Sequence, residues 1–293
     1  MIVNRPNWDI DKPNVRIDLS KNVHYDDTLD TECKILLCSI DNINSYPNEF
    51  RLYKSISNYY KVPVSNLSIG FGATDLIERI IKSLSYNRLV IVSPTFEMIE
   101  VYCQLNGKEY IKINNDQIEE YANENDALYI ANPNGLTGDA ISIKHLTSKF
   151  KYVFADEVYA DFYNEHSLLN DWSDNVIVIK SLSKSLGLAG LRVGFAVASE
   201  ELTKIIQMHR MNYVTNSISC YIIPHVIGMT KEVIARMNIT KNHLESTFKC
   251  KKSVANFVLF ESQNKYTDKF GYKLVNGLYR MALTDMKTLN EHN

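Results

Sequence analysis

The chain has 293 residues, of which 45% are hydrophobic, and its 32 basic and 34 acidic side chains give a formal net charge of −2. This composition excludes a disordered, collagen-like or highly charged protein, and the length predicts two domains or one large α/β unit. The charge is near neutral and no basic block occurs, which argues against a nucleic-acid partner.

The apolar runs are too short to span a membrane, so we expect no membrane partner. Met1 is followed by polar Asn4, Arg5 and Asn7 where a secretion signal would be apolar, which favours a cytoplasmic protein. Five scattered cysteines include no C-x-x-C pair and no flanking histidine at metal-ligand spacing. They predict thiols and no metal site.

The first strongly periodic segment is Thr74–Leu84, whose apolar side chains recur at helical spacing. Short β-branched runs alternate with amphipathic stretches up to about residue 198 and predict strands. These runs are Leu89–Val92, Glu109–Ile113, Ala127–Ala131, Tyr152–Ala155, Val176–Lys180 and Arg192–Ala198. This alternation predicts an α/β fold with a mostly parallel sheet flanked by helices.

Beyond residue 199 the pattern is helical through Met211 and then irregular. Asn256–Glu261 and Leu278–Leu283 are short strand candidates near the end of the chain. We therefore predict a large domain over residues 30–210. Residues 1–29 and 211–293 are predicted to form a reduced α+β small domain.

Polar clusters follow three of the predicted strands where each strand ends: Asn132–Gly138, Asp156–Tyr159 and Ser181–Lys184. Each cluster alone is more simply a turn, a helix N-cap or an exposed lysine. Together they lie at the carboxyl edge of the sheet, where ligands bind in open α/β folds. The carboxylate suits a cationic ring nitrogen, and the lysine amine suits a nucleophile. The two hydroxyls and the nearby Arg192 suit a phosphate.

A second anion cradle is predicted at Gly70–Thr74, directly before the helical periodicity. Small residues allow close approach of the backbone there. The free N–H groups of Ala73 and Thr74 at a helix start would face a phosphate. The cradle and the Ser181–Lys184 cluster therefore point to the same kind of ligand.

The segment from Ser181 to Phe195, which reads SLSKSLGLAGLRVGF, resembles the lysine segment of the fold-type I pyridoxal-phosphate enzymes. The similarity is to class I/II aminotransferases and, within them, to the histidinol-phosphate aminotransferase branch. It extends over about residues 16–283. Further matching motifs are Asn44–Pro47, Gly72–Asp75, Pro94–Phe96 and Asp156–Tyr159.

The resemblance implies pyridoxal 5′-phosphate as the cofactor and Lys184 as the lysine that forms the Schiff base. It implies that Asp156 pairs with the pyridine nitrogen and that Tyr159 donates to the ring 3′-oxygen. It also assigns the cofactor phosphate to the side chains or backbone of Ala73, Thr74, Ser181, Ser183 and Arg192.

The remaining implied roles involve aromatic residues, a second subunit and the substrates. Phe96 matches the aromatic residue that stacks on the ring, and Tyr46 matches a tyrosine that reaches the phosphate in the partner subunit. A homodimer with shared sites is thereby expected. Arg280 resembles the arginine that grips the substrate carboxylate, and the expected partners are an amino donor and an oxo acid acceptor.

The chain departs from the family pattern at Gly135, which replaces the asparagine that donates to the 3′-oxygen. Asn134 or a water is the candidate substitute. The arginine that helps bind a substrate phosphate is also absent, and Gly271–Lys273 stands at the nearest alignment. The substrate-selecting region is therefore the one that differs most.

The leading hypothesis is an aminotransferase that acts on a small amino acid or amino alcohol phosphate. A decarboxylase of the threonine-phosphate decarboxylase kind uses the same cofactor constellation and remains open. A third alternative is a catalytically weakened relic. The presence of Lys184, Asp156, Tyr159 and Arg192 together argues against this last alternative, because a scaffold has no need for them.

Overall fold

A computed structural model describes residues 17–41, 43–170 and 173–291, so the polar residues after Met1 lie outside the described part. Within this part the chain forms a large sheet of seven strands and a separate sheet of four. The seven strands are β1 (Leu67–Phe71), β2 (Arg88–Val92), β3 (Glu109–Ile113), β4 (Ala127–Ala131), β5 (Tyr152–Asp156), β6 (Val176–Ser181) and β7 (Val193–Val197).

The large sheet has the order β1-β7-β6-β5-β4-β2-β3, and the pairs from β6 to β3 are all parallel. Strand β7 is antiparallel to both of its neighbours. Its first residue therefore lies at the edge where the other strands end. The predicted α/β class with a mostly parallel sheet is confirmed, and β1 is a strand that the sequence reading did not predict.

The described helices are α1 (Asp27–Cys38), α2 (Glu49–Tyr60), α3 (Gly72–Ser83), α4 (Met98–Leu105), α5 (Leu182–Ser185), α6 (Glu200–Gln207), α7 (Ser217–Val226), α8 (Thr230–Thr247), α9 (Lys265–Phe270) and α10 (Met286–Glu291). Helices α1, α2 and α7 cover one face of the large sheet, and α3, α4 and α6 cover the other. Alternate strand residues serve the two faces, as Val178 and Ile179 illustrate.

The structure corrects the prediction of irregular chain after Met211, because α7 and α8 occupy most of that region. Helix α7 is apolar around most of its circumference and contains Pro224, so it lacks the one-sided pattern by which a helix is recognised. The stretch Ser217–Thr247 has the length and hydropathy of a membrane span. Much of this hydropathy comes from core side chains of α7, such as Ile222 and Ile223. These side chains are buried against the large sheet.

The smaller sheet is antiparallel, in the order β10-β11-β9-β8. Its strands are β8 (Cys250–Lys251), β9 (Phe257–Phe260), β10 (Lys273–Val275) and β11 (Leu278–Ala282). The two strand candidates near the chain end are therefore found as β9 and β11. A separate apolar cluster joins this sheet to α8, α9 and α10.

The N-terminal segment runs along the smaller sheet. Leu19 accepts a hydrogen bond from the Ala282 backbone at 2.9 Å, and the Tyr25 backbone donates to Leu283 at 3.1 Å. The Asp26 carboxylate forms an ion pair with Arg236 of α8 at 2.6 Å. The division at residues 29/30 and 210/211 stays a prediction, and the packing of α7 on the large sheet favours a later second boundary.

Candidate active site

Lys184 lies on the short helix α5, directly after the carboxyl end of β6. The Ser181 hydroxyl caps this helix by accepting from the Ser183 backbone at 3.2 Å. Lys184 Nζ donates to the backbone oxygens of Asn22 at 2.9 Å and Lys21 at 3.2 Å. The amine is therefore held between the end of the large sheet and the N-terminal segment.

The environment of Lys184 disfavours a charged ammonium group. Burial is the largest cause, the positive charges of Arg280 and Arg192 add to it, and Asp156 opposes them. Together they lower the pKa of Lys184 to about 7. A substantial fraction of the amine is therefore neutral near pH 7, which is the form that attacks carbonyl compounds.

Asp156 ends strand β5 and is only 5% exposed. One carboxylate oxygen accepts from the Tyr129 hydroxyl at 2.6 Å, and the other accepts from the Val158 backbone at 3.3 Å. Burial raises the pKa of Asp156, whereas these two hydrogen bonds and the Lys184 charge lower it. The carboxyl group is thus a fixed acceptor that a cationic N–H donor would complete.

Tyr159 lies three residues after Asp156, and its ring is close to Lys184, with 5.7 Å between Nζ and the ring centroid. Its hydroxyl accepts from the Asn22 side chain at 3.1 Å. The edge-to-face ring of Phe257 in β9 supports it from the smaller sheet, with 6.1 Å between centroids. Burial raises the pKa of the Tyr159 phenol, so its proton is retained.

The residues of the predicted anion cradle lie where β1 ends and α3 begins. The guanidinium of Arg192 lies against Gly72, where a Cβ atom would come within 2.4 Å of Nη2. It donates to the Phe71 oxygen at 3.3 Å and to the Ala189 oxygen at 3.2 Å. Because Arg192 precedes the antiparallel strand β7, it lies at the same sheet edge as the N-terminus of α3.

The neighbouring Ser181–Lys184 cluster, in which Ser181 pairs with Gly194 of β7, contains an unsatisfied hydroxyl. Ser183 Oγ is buried and has no hydrogen-bond partner among the described residues. Gly194 keeps the α3 start open, because a Cβ at this position would lie 2.4 Å from the Ala73 nitrogen. The backbone N–H groups at Ala73 and Thr74, the Ser183 hydroxyl and the Arg192 charge suit a phosphate.

Arg280 reaches the site from β11 of the smaller sheet and is 5% exposed. Its Nη1 donates to the Gly135 backbone oxygen at 2.9 Å, and its Nε is buried without a partner among the described residues. Burial lowers the pKa of this guanidinium. In the described part of the chain no carboxylate pairs with Arg280, so an anionic ligand suits it.

Phe96 and Asn134 lie in the loops after β2 and β4. Phe96 is partly exposed. The Asn134 amide joins these two loops: its nitrogen donates to the Pro94 oxygen at 2.7 Å, and its oxygen accepts from the backbones of Leu136 and Thr137. Asn134 therefore serves the loop structure, and a substitute donor for the position of Gly135 has to be sought elsewhere.

Tyr46 lies on the surface and is 77% exposed. Its ring stacks on that of Tyr213 with 4.3 Å between centroids. It lines a surface cleft formed by residues 43–47 and 216–218. Within this chain it makes no contact with Lys184 among the described interactions.

Sequence reasoning missed two residues that the structure brings to the site, Asn22 and Tyr129. Tyr129 is a fully buried tyrosine in an otherwise aliphatic strand, which is a signal that its hydroxyl has a buried partner. No local signal marks Asn22, whose partners lie more than a hundred residues away. The described residues contain no cluster of histidine, cysteine or carboxylate side chains that could hold a metal ion.

Known proteins resemble the chain in sequence and in fold. The sequence profile of aminotransferase class I and II matches residues 39–288. A histidinol-phosphate aminotransferase of Clostridium beijerinckii is 30% identical over 257 residues, which cover 78% of this chain and 70% of that protein. One of Thermococcus kodakarensis is 32% identical over 177 residues, covering 56% of this chain and 53% of the relative.

The chain thus spans about half the length of the Thermococcus relative. In fold, the chain is similar to the crystal structure of the histidinol-phosphate aminotransferase from Clostridium acetobutylicum. The TM-score is 0.74 at 20% sequence identity, and the superposition covers 94% of this chain and 96% of that one.

Proposed function

Because the chain belongs to the aminotransferase class I and II family, whose members depend on pyridoxal 5′-phosphate, we propose that it exchanges an amino group between two small substrates. One is a small amino acid or amino alcohol phosphate, of the histidinol phosphate kind, and the other is an oxo acid. The observation that carries this proposal is the meeting of the Lys184 amine, the Asp156 carboxyl and the Arg192 guanidinium at one sheet edge.

The residues at this edge fit the cofactor. When bound, pyridoxal phosphate supplies an aldehyde that reacts with amines and a cationic ring that withdraws electrons from the substrate α-carbon. We assign its phosphate to the start of α3 and to the side chains of Ser181, Ser183 and Arg192. The buried Ser183 hydroxyl, which lacks a partner, supports this assignment.

The remaining contacts follow from the chemistry of the side chains. The Asp156 carboxylate would keep a ring nitrogen protonated, and the Tyr159 hydroxyl would donate to the ring oxygen. Phe96 would stack on the ring from the β2 loop. Lys184 Nζ, whose pKa is lowered to about 7, would take a proton from the substrate α-carbon and give it to the cofactor carbon that carried the aldehyde, as transfer of an amino group requires.

Arg280 is the proposed site for the substrate carboxylate. A guanidinium group binds a carboxylate through two parallel hydrogen bonds. Its Nη1 is anchored on Gly135, and its Nε lacks a partner. The proposed carboxylate-binding group is therefore on the smaller sheet, whereas the proposed reactive amine, Lys184, follows a strand of the large sheet.

We also propose that two copies associate, with Tyr46 extending the neighbouring site. Tyr46 and Tyr213 are exposed and stack on each other, and Phe50, four residues after Tyr46, is also exposed. Exposed aromatic side chains of this kind suit burial against a second subunit. Sedimentation should therefore give a mass of twice the chain. A monomer with full activity would contradict this assignment.

We expect the protein to act in the cytoplasm.

The function is tested by incubating purified protein with pyridoxal phosphate and recording the visible spectrum. We expect an absorption band that disappears when the right amino donor is added, with release of the corresponding oxo product. Lys184→Ala should abolish both signals. Lys204→Ala is the control, because Lys204 is exposed and its one ion pair among the described residues is with Glu200.

The same experiment separates the alternatives. Release of carbon dioxide from an amino acid phosphate, without an oxo acceptor, would identify a decarboxylase. A bound cofactor that no donor in a broad panel affects would identify a relic. A protein that remains colourless with pyridoxal phosphate would refute the whole proposal.

A further inference from the structure

The ring of Tyr159 occupies the space beside Gly135 that a side chain would need. A Cβ atom built at Gly135 would lie 2.6 Å from Tyr159 Cε2 and 3.0 Å from its hydroxyl oxygen. The ring cannot easily move away, because Phe257 packs against it from the smaller sheet. Any side chain that orients Tyr159 must therefore come from another part of the chain.

Asn22 provides that side chain from the N-terminal segment. It is 3% exposed, and its backbone is left-handed, with φ of 55°. Its amide nitrogen donates to the Gly135 backbone oxygen at 2.9 Å and to the Tyr159 hydroxyl at 3.1 Å. An amide nitrogen carries two hydrogens, so both are used in joining these two groups.

This arrangement has a direct effect on the Tyr159 hydroxyl. Because its oxygen accepts from Asn22, its own hydrogen is left free to be donated into the site. Asn22 also helps position the amine, since its backbone oxygen accepts from Lys184 at 2.9 Å and from the Asn256 side chain at 3.1 Å. The Asn22 Oδ1 atom is buried and has no hydrogen-bond partner among the described residues. A donor on a bound ligand would satisfy this acceptor.

We propose that the Asn22 side chain is a positioning group that orients the Tyr159 hydroxyl toward the cofactor ring, in place of a side chain at position 135. The inference rests on the proposed function, because its effect is measured on the protein loaded with pyridoxal phosphate. It predicts that Asn22 acts through Tyr159, and not merely through folding.

The test uses Asn22→Gly, which removes the side chain and tolerates the left-handed backbone. The quantity measured is the pH midpoint at which the visible band of the loaded protein changes. Without the Asn22 donor, Tyr159 competes less well for negative charge on the ring oxygen. The proton at Lys184 is then held more strongly, so the midpoint should rise by about half to one pH unit.

A thermodynamic cycle with Tyr159→Phe identifies the route of the effect. We expect Asn22→Gly to raise the midpoint in the wild-type background and to leave it unchanged in the Tyr159→Phe background. The control is Asn276→Gly, which removes an exposed asparagine from another left-handed position and should change nothing. If Asn22→Gly folds poorly, Asn22→Ser, whose shorter side chain cannot join both partners, gives the same comparison.

An unchanged midpoint in the Asn22 variants, or an equal shift with and without the Tyr159 hydroxyl, would overturn the inference. These results require a wild-type protein that shows the visible band. Loss of the band from the wild type would instead overturn the proposed function, so the two failures are distinguishable.

Discussion

Lys184 Nζ donates a hydrogen bond of 2.9 Å to the backbone oxygen of Asn22, a residue 162 positions earlier in the chain. The sheet edge presents the amine, and the N-terminal segment fixes its direction. The same segment is hydrogen-bonded to the smaller sheet through Leu19 and Tyr25. The candidate site is therefore completed by three parts of the chain that are distant in sequence.

The lowered pKa of Lys184 predicts a pH-dependent contribution to the stability of the cofactor-free protein. Between pH 7 and about 10 the unfolded chain holds a proton on this amine that the folded chain has lost. The free energy of unfolding therefore gains from Lys184 as the pH rises, by at most about 1.4 kcal/mol per pH unit. Urea unfolding at several pH values should show this slope.

Lys184→Met should remove that slope, so the variant is most stable relative to wild type at pH 7 and below. Lys204→Met is the matched control, because Lys204 is an exposed lysine that, within the described part of the chain, forms an ion pair with Glu200 alone. Parallel curves of stability against pH for wild type and Lys184→Met would show that the amine titrates normally.

Gly135→Ala should destabilise the protein by about 1–3 kcal/mol, since the new methyl group would overlap the Tyr159 ring. Gly190→Ala is the control, because its Cβ would meet no atom within 4 Å. That variant should change the free energy of unfolding by no more than about 1 kcal/mol. Equal effects of the two substitutions, measured by urea unfolding, would argue against the close packing of Tyr159.

Arg280→Lys should raise the KM for the acid substrate by roughly tenfold or more, with a smaller effect on the visible spectrum of the loaded protein. A lysine keeps the charge but loses the two-pronged geometry. Arg88→Lys provides the comparison, as Arg88 pairs with Asp126 at the opposite end of its strand from the site. Steady-state kinetics with both variants measures the difference, and an unchanged KM in Arg280→Lys would remove Arg280 from substrate binding.

Asp26→Asn should lower the free energy of unfolding by about 1–3 kcal/mol. The buried Asp26 carboxylate accepts from Arg236 at 2.6 and 3.0 Å and also caps α1 through the Leu29 backbone at 2.8 Å. The substitution keeps the size of the side chain and removes its charge. Glu200→Gln, in an exposed pair with Lys204, should leave the free energy of unfolding nearly unchanged. Denaturant unfolding measures both, and a neutral Asp26→Asn would assign the pair no role in stability.

The positions of the strands and of the reactive groups in the large sheet could be predicted because their signals are local. Runs such as Val176–Lys180 are apolar over the length of one strand, and the polar residues that follow mark where each strand ends. Strand β1 was not predicted because Ser68 and Gly70 interrupt its apolar run. Helix α7 was not predicted because it is apolar around most of its circumference, so it lacks the one-sided pattern by which a helix is recognised.

The sequence by itself determined the α/β class, the chain order of the site loops and the chemical types gathered at one sheet edge, because these follow from hydrophobic periodicity and from the ends of parallel strands. Only the tertiary structure decided that Asn134 joins its loop to the loop after β2, that Tyr159 fills the space beside Gly135, and that Asn22 joins Gly135 and Tyr159. The Asn22 contacts join segments more than a hundred residues apart, and the other contacts join separate loops at the edge of the large sheet. No periodicity within a single segment encodes such contacts.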